Sequence, residues 1–170
     1  MFGLGLTFQI MQTSIPKVFD IRMQNLSTFE IGTIIGIIYG IAGFMTLIGG
    51  LLADKFSLKK IYIIGIAVQV PCFYFMAFFT GFNLFLVSLI LAMFNSGILP
   101  TENILLAKFT PQKHHGLIYG IKFIIAFGSA PLAVFLISKI YERTNEFTEI
   151  FIISSILIFL ASFFVLFLPV

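Results

Sequence analysis

Residues 32–53 read GTIIGIIYGIAGFMTLIGGLLA, from Gly32 to Ala53, without one charged side chain. As an α-helix rising 1.5 Å per residue, the run is about 33 Å long, enough to cross a hydrocarbon core of about 30 Å. A helix that is apolar all round has no face to turn toward water. Lipid is the solvent that suits it.

Five further runs of this character lie at 2–18, 61–80, 84–107, 117–138 and 150–168. They lack the strict alternation of barrel strands, and only helices or closed barrels satisfy their own backbone groups in a bilayer, so all six are expected to be transmembrane helices. Composition points the same way. Of 170 residues 59% are hydrophobic and 10% charged, with mean hydropathy +1.11. Seven acids and ten bases cannot cover the surface of a soluble domain of this length. The expected fold is an all-α membrane protein, one six-helix domain over residues 1–170, with the lipid bilayer as its first partner. The run at 2–18 differs from a secretory signal because no Lys or Arg precedes it, and its first base, Lys17, comes at its end.

The connections lie at 20–30, 54–60, 81–83, 108–116 and 139–149, and none is long enough for a soluble domain. The net charge of +3 is scattered over these gaps, so no nucleic-acid partner is expected. Lys55, Lys59, Lys60, Lys108 and Lys113 fall on one side of the bundle. Lys17, Arg22, Lys139 and Arg143 fall on the other, among Asp20, Glu30, Glu142, Glu146 and Glu149. Five bases against four put the first side, and both termini with it, in the cytoplasm of a cell membrane. Gly32, Gly36, Gly40 and Gly43 give the second helix a smooth stripe for a close neighbour, and Gly116 with Gly120 does the same for the fifth. Pro71, Pro100 and Pro131 sit within helices three, four and five, where kinks are tolerated.

The single cysteine, Cys72, lies in an apolar run and reads as packing, so no disulfide framework or thiolate cluster is available. Adjacent His114 and His115 cannot share a metal as an i, i+4 pair would, and no metal or other cofactor is expected. An enzyme is not expected either. Asn95-Ser96-Gly97 lacks the first glycine of a rhomboid-type nucleophile motif, Ser96 has no visible base, and no phosphate-binding glycine loop occurs.

The polar residues inside the oily runs are few and therefore informative. Asn95 and Glu102 are seven apart, with Ser96 and Asn103 in a parallel row, so one face of the fourth helix is polar. A charge at the bilayer centre costs about 2.5–3.5 kcal/mol on insertion scales, which turns Glu102 inward. Lys122 is its candidate partner, because each residue lies about 7.5 Å inside the facing ends of helices four and five. Such a pair reads as a gate or as part of a proton relay, Glu102 taking a proton when Lys122 moves off; a static buried ion pair is the plainer alternative.

The join between helices two and three, Gly50-Leu51-Leu52-Ala53-Asp54-Lys55-Phe56-Ser57-Leu58-Lys59-Lys60, resembles the G-x-L-a-D-[RK]-x-G-[RK]-[RK] loop of the major facilitator superfamily. Gly50, Leu52, Asp54 and Lys55 match in place and Lys59 supplies the second base, while Ser57 replaces the usual glycine and Leu58 the first base. Asn95-Ser96-Gly97-Ile98-Leu99-Pro100-Thr101-Glu102-Asn103, Thr110 to Gly120, and Phe167-Leu168-Pro169 resemble the tenth to twelfth helices of the same family. The resemblance implies the carboxyl-terminal half of that fold, two inverted three-helix repeats. It implies that the first and fourth helices line a cavity, which makes Gln9, Gln12, Asn95, Ser96 and Asn103 candidate substrate contacts, with interhelical hydrogen bonding as the alternative. Glu102 and Lys122 are the candidate coupling or gating pair. Asp54, Lys55 and Lys59 become a candidate cytoplasmic clasp; the other reading is a solvated turn beside lysines that set topology. The implied activity is secondary transport of a small solute by alternating access, coupled to H+, with a second six-helix half or a homodimer completing the machine. A truncated or partner subunit that only packs against other helices is the rival.

Overall fold

The computed structural model describes residues 2–23 and 26–167, and among them every regular element is helical. α1 (Phe2–Arg22), α2 (Thr28–Lys55), α3 (Leu58–Met76), α4 (Gly81–Gly97), α5 (Leu99–Phe109), α6 (His115–Thr144) and α7 (Thr148–Leu166) follow in order. By length and composition five spans could cross a membrane: α2, α3, α4 continued into α5, α6 with the short 3-10 turn before it, and α7. The more polar α1 is not among these five and packs beside them. Leu168 and Pro169 of the closing motif lie outside the described residues.

The helices run past the apolar stretches at several ends, and local chemistry explains each boundary. α2 starts at Thr28 because Ser27 and Glu30 form a reciprocal capping box, the serine hydroxyl taking the Glu30 N–H and the carboxylate taking the Ser27 N–H at 2.7 Å. α6 continues to Thr144 and is stopped by Asn145 in the left-handed region, at φ 54°, where asparagine is among the few tolerated residues. α3 stops early, at Met76 rather than Thr80. The Arg22 guanidinium takes the Met76 carbonyl at 2.7 Å and the Phe79 carbonyl at 3.4 Å, closing the helix end, and Gly81 at φ 55° turns the chain into α4.

The expected fourth helix, 84–107, is broken in two at Ile98. Pro100 has no N–H to give to the Ser96 carbonyl four residues back, and that carbonyl is met instead by the Thr46 hydroxyl of α2 at 3.4 Å. The break is held from two sides. A Cβ added at Gly49 of α2 would stand 2.0 Å from the Gly97 carbonyl oxygen, and one at Gly65 of α3 would stand 2.0 Å from an Ile98 methyl. These are the close approaches of the bundle. The stripe at Gly32, Gly36, Gly40 and Gly43, like Gly116 and Gly120, has nothing within 4 Å and faces away from the described chain, a correction to the expected close neighbour. The reason is rotational: α2 buries Ile31, Ile38, Ala42 and Gly49, a different face.

The packing is that of two interleaved three-helix units. α2 packs on α4 as α6 packs on α1, α3 packs on α4 as α7 packs on α1, and α3 and α7 meet each other. Exchanging α1 with α4–α5, α2 with α6 and α3 with α7 preserves this pattern. Ile10, Phe19, Phe73, Phe151 and Ile158 fill the centre, whereas Phe44, Ile124, Phe159 and Phe164 point outward, each at least 60% uncovered by protein. Outward phenylalanines of that number suit hydrocarbon and not water.

Candidate functional site

A cavity of about 390 Å³ lies between α1, the α4–α5 break and α6. Its polar residues are Gln9, Gln12, Asn95, Glu102, Asn103 and Lys122; Phe8, Ile98, Leu99, Phe123 and Phe127 supply most of the apolar wall. Six of the seven residues singled out as substrate contacts or coupling pair thus line one cavity. Ser96 is the exception. It lies outside this lining, and its carbonyl is turned to α2.

The Lys122 ammonium stands 3.3 Å from a Glu102 carboxylate oxygen and 2.5 Å from the Asn103 side-chain oxygen, with the two charged side chains 8% and 11% exposed. At an effective dielectric of about 20, attraction across such a gap is about 5 kcal/mol, and desolvation costs several kcal/mol per ion. The two effects are of one size, so the contact adds little to the fold. Either ion left alone would be expensive. The Tyr119 hydroxyl donates to the Asn103 carbonyl at 2.8 Å and so ties α6 to α5 beside the pair.

Asn95 is oriented by a residue that the sequence reading passed over. Gln69 of α3 is fully buried; its amide nitrogen donates to the Gly65 carbonyl at 3.0 Å, which leaves its oxygen to accept from the Asn95 amide nitrogen at 3.1 Å. That arrangement directs the Asn95 oxygen away from Gln69 as an acceptor. Gln9 and Gln12 have no hydrogen-bond partner among the described residues, so both amides are available to a solute. A lone glutamine within an otherwise apolar run was the signal that could have revealed Gln69. Tyr62, which lines a second pocket together with Glu102, carried a weaker signal, since tyrosine is common at membrane interfaces.

Asp54 and Lys55 lie exposed where α2 ends, and Lys59 is half-buried in the first turn of α3. The Phe56 N–H closes α2 on the Leu52 carbonyl at 2.9 Å, and no described side chain bonds to Asp54. At the opposite end Arg22, 7% exposed, joins Glu146 at 2.8 Å and Thr148 at 3.1 Å while capping α3. One guanidinium therefore ties α1, α3 and the α6–α7 turn together.

Over residues 1–170 the chain matches the family model described as Major Facilitator Superfamily. A comparison with curated proteins found no match.

Proposed function

The chain belongs to the major facilitator superfamily, a family of multi-pass membrane transporters, and from that premise we propose that it moves a small solute with H+ by alternating access. The solute would occupy the cavity between α1, α5 and α6, using the amides of Gln9 and Gln12 and the oxygen of Asn95. Glu102 is the proton-carrying group. Lys122 is its counter-ion, and a proton taken by Glu102 would leave Lys122 held by Asn103 alone. Protonation and movement of the helix break are then linked.

The observation that carries this reading is the buried Glu102–Lys122 contact on the wall of a cavity inside a membrane bundle. α2 and α6 are the two spans least covered by the rest of the chain, and they suit a second six-helix half or a second copy as the partner against which the bundle rocks. Asp54, Lys55 and Lys59 would form the cytoplasmic clasp to that partner, in a plasma membrane with both termini inside.

The test is uptake into vesicles that carry the full chain, with an internal pH-sensitive dye and a panel of small organic solutes. A solute that moves with the wild type should change internal pH, and Glu102→Gln should abolish that change and flatten the pH dependence of uptake. Uptake by Glu102→Gln with an unaltered pH profile would rule out Glu102 as the coupling group.

A further inference from the structure

A groove of about 400 Å³ lies on a different side of the helix break, between α2, α3 and α4. Its walls are apolar, from Met45, Phe56, Ile64, Met93 and Phe94. Its one charge is Lys60, with Ser57 beside it at the mouth, and it ends at Gly49, Gly65, Gly97 and Ile98. From Ser57 to Gly65 along α3 is about 12 Å, most of one leaflet's share of a hydrocarbon core of about 30 Å.

We propose that an anionic phospholipid occupies this groove, its phosphate on Lys60 and Ser57 and one acyl chain laid between the three helices down to the break. Three features select this occupant. A helix about 10 Å across would fill 400 Å³ with roughly one turn, so the space is too small for a partner helix and suits a chain of methylenes. Lys60 has no acidic partner among the described residues, and Lys55 ends α2 at the same side, so the mouth is complementary to a phosphate. The floor is closed, because Gly49 and Gly65 let α2 and α3 pack directly against Gly97 and Ile98, so an acyl chain entering from the mouth would end at the break. Ile98 lines both this groove and the solute cavity. A bound acyl chain therefore packs against the residue at which α4 gives way to α5.

The chain has no tryptophan, so Ile64→Trp, one turn below Lys60, supplies the only indole emission. The full chain is reconstituted in vesicles of phosphatidylcholine and phosphatidylglycerol in which either lipid, at matched mole fraction, carries brominated acyl chains. Brominated phosphatidylglycerol should quench Ile64→Trp more strongly than brominated phosphatidylcholine does. Lys60→Gln should reduce that preference about five-fold, the factor for one lysine near an anionic surface. Phe159→Trp, on the outward face of α7, should show no preference, and Phe94→Trp repeats the measurement should Ile64→Trp fold poorly. Equal quenching by the two lipids, a preference that survives Lys60→Gln, or no quenching by either lipid, as under a protein cover, would overturn the proposal.

Discussion

Glu102 and Lys122 form a buried ion pair, with Asn103 as a second partner of the ammonium. Removing one charge leaves the other buried and unpaired, at a cost of about 3–5 kcal/mol, whereas replacing both is near neutral. Glu102→Gln and Lys122→Met should each lower the thermal unfolding midpoint of the purified protein, and the double variant should recover most of the loss; an additive double variant would contradict the pairing. Gln69→Leu should cost about 1–3 kcal/mol by leaving the Asn95 amide without its acceptor, against little effect from Ser96→Ala, which lines neither the solute cavity nor the lipid groove. Much of this site was readable beforehand, because a carboxylate, an ammonium and four amides in oily helices have few places to go. Gln69 was not readable as the orienting group, since its partner lies on another helix. Ser96 lies outside the lining of the cavity that Asn95 and Asn103 share, a placement that spacing along one helix does not decide.

At the scale of the element, hydropathy locates the part of each helix that lies in hydrocarbon and is blind to where it ends. The capping box at Ser27 and Glu30 and the left-handed Asn145 lie in charged gaps, and the early end of α3 depends on Arg22, far away in sequence. The break at Ile98 was foreshadowed by Pro100, but its position follows from the freed Ser96 carbonyl and from two glycines on neighbouring helices. Gly49→Ala should therefore cost more than the about 1–3 kcal/mol of ordinary overpacking, since it meets backbone, and should reduce the folded yield. Gly36→Ala, in open space on the same helix, should be neutral or stabilising by up to about 1 kcal/mol. The Arg22 guanidinium, chiefly through its hydrogen bond, holds the Glu146 carboxyl below the usual carboxylate range. A lowered folded-state value means stabilisation that is complete above the ordinary value near about 4.3 and is lost as pH falls through the lowered one. Protection of the α3–α4 and α6–α7 turns against hydrogen exchange, taken relative to the unfolded chain at each pH, should fall in that acid window, and Glu146→Gln should show the low protection already at neutral pH with no further acid step.

For the whole molecule, the exchange symmetry of the contacts, the outward phenylalanines and the family match describe one object, a membrane bundle whose polar face borders a cavity and whose other faces border lipid. Five apolar spans and the bilayer as their surroundings were evident in the sequence. The interleaving of the two units was not, because it depends on which glycines and small residues let helices cross. The most direct measurement is the reaction of a small membrane-impermeant thiol reagent with single cysteines in sealed vesicles, on a Cys72→Ala background. Thiols react as thiolates, which form in water and not in hydrocarbon. Gln12→Cys and Asn103→Cys should be modified while Phe159→Cys stays inert; modification of Phe159→Cys at a comparable rate, with the two cavity positions silent, would contradict the placement of both faces.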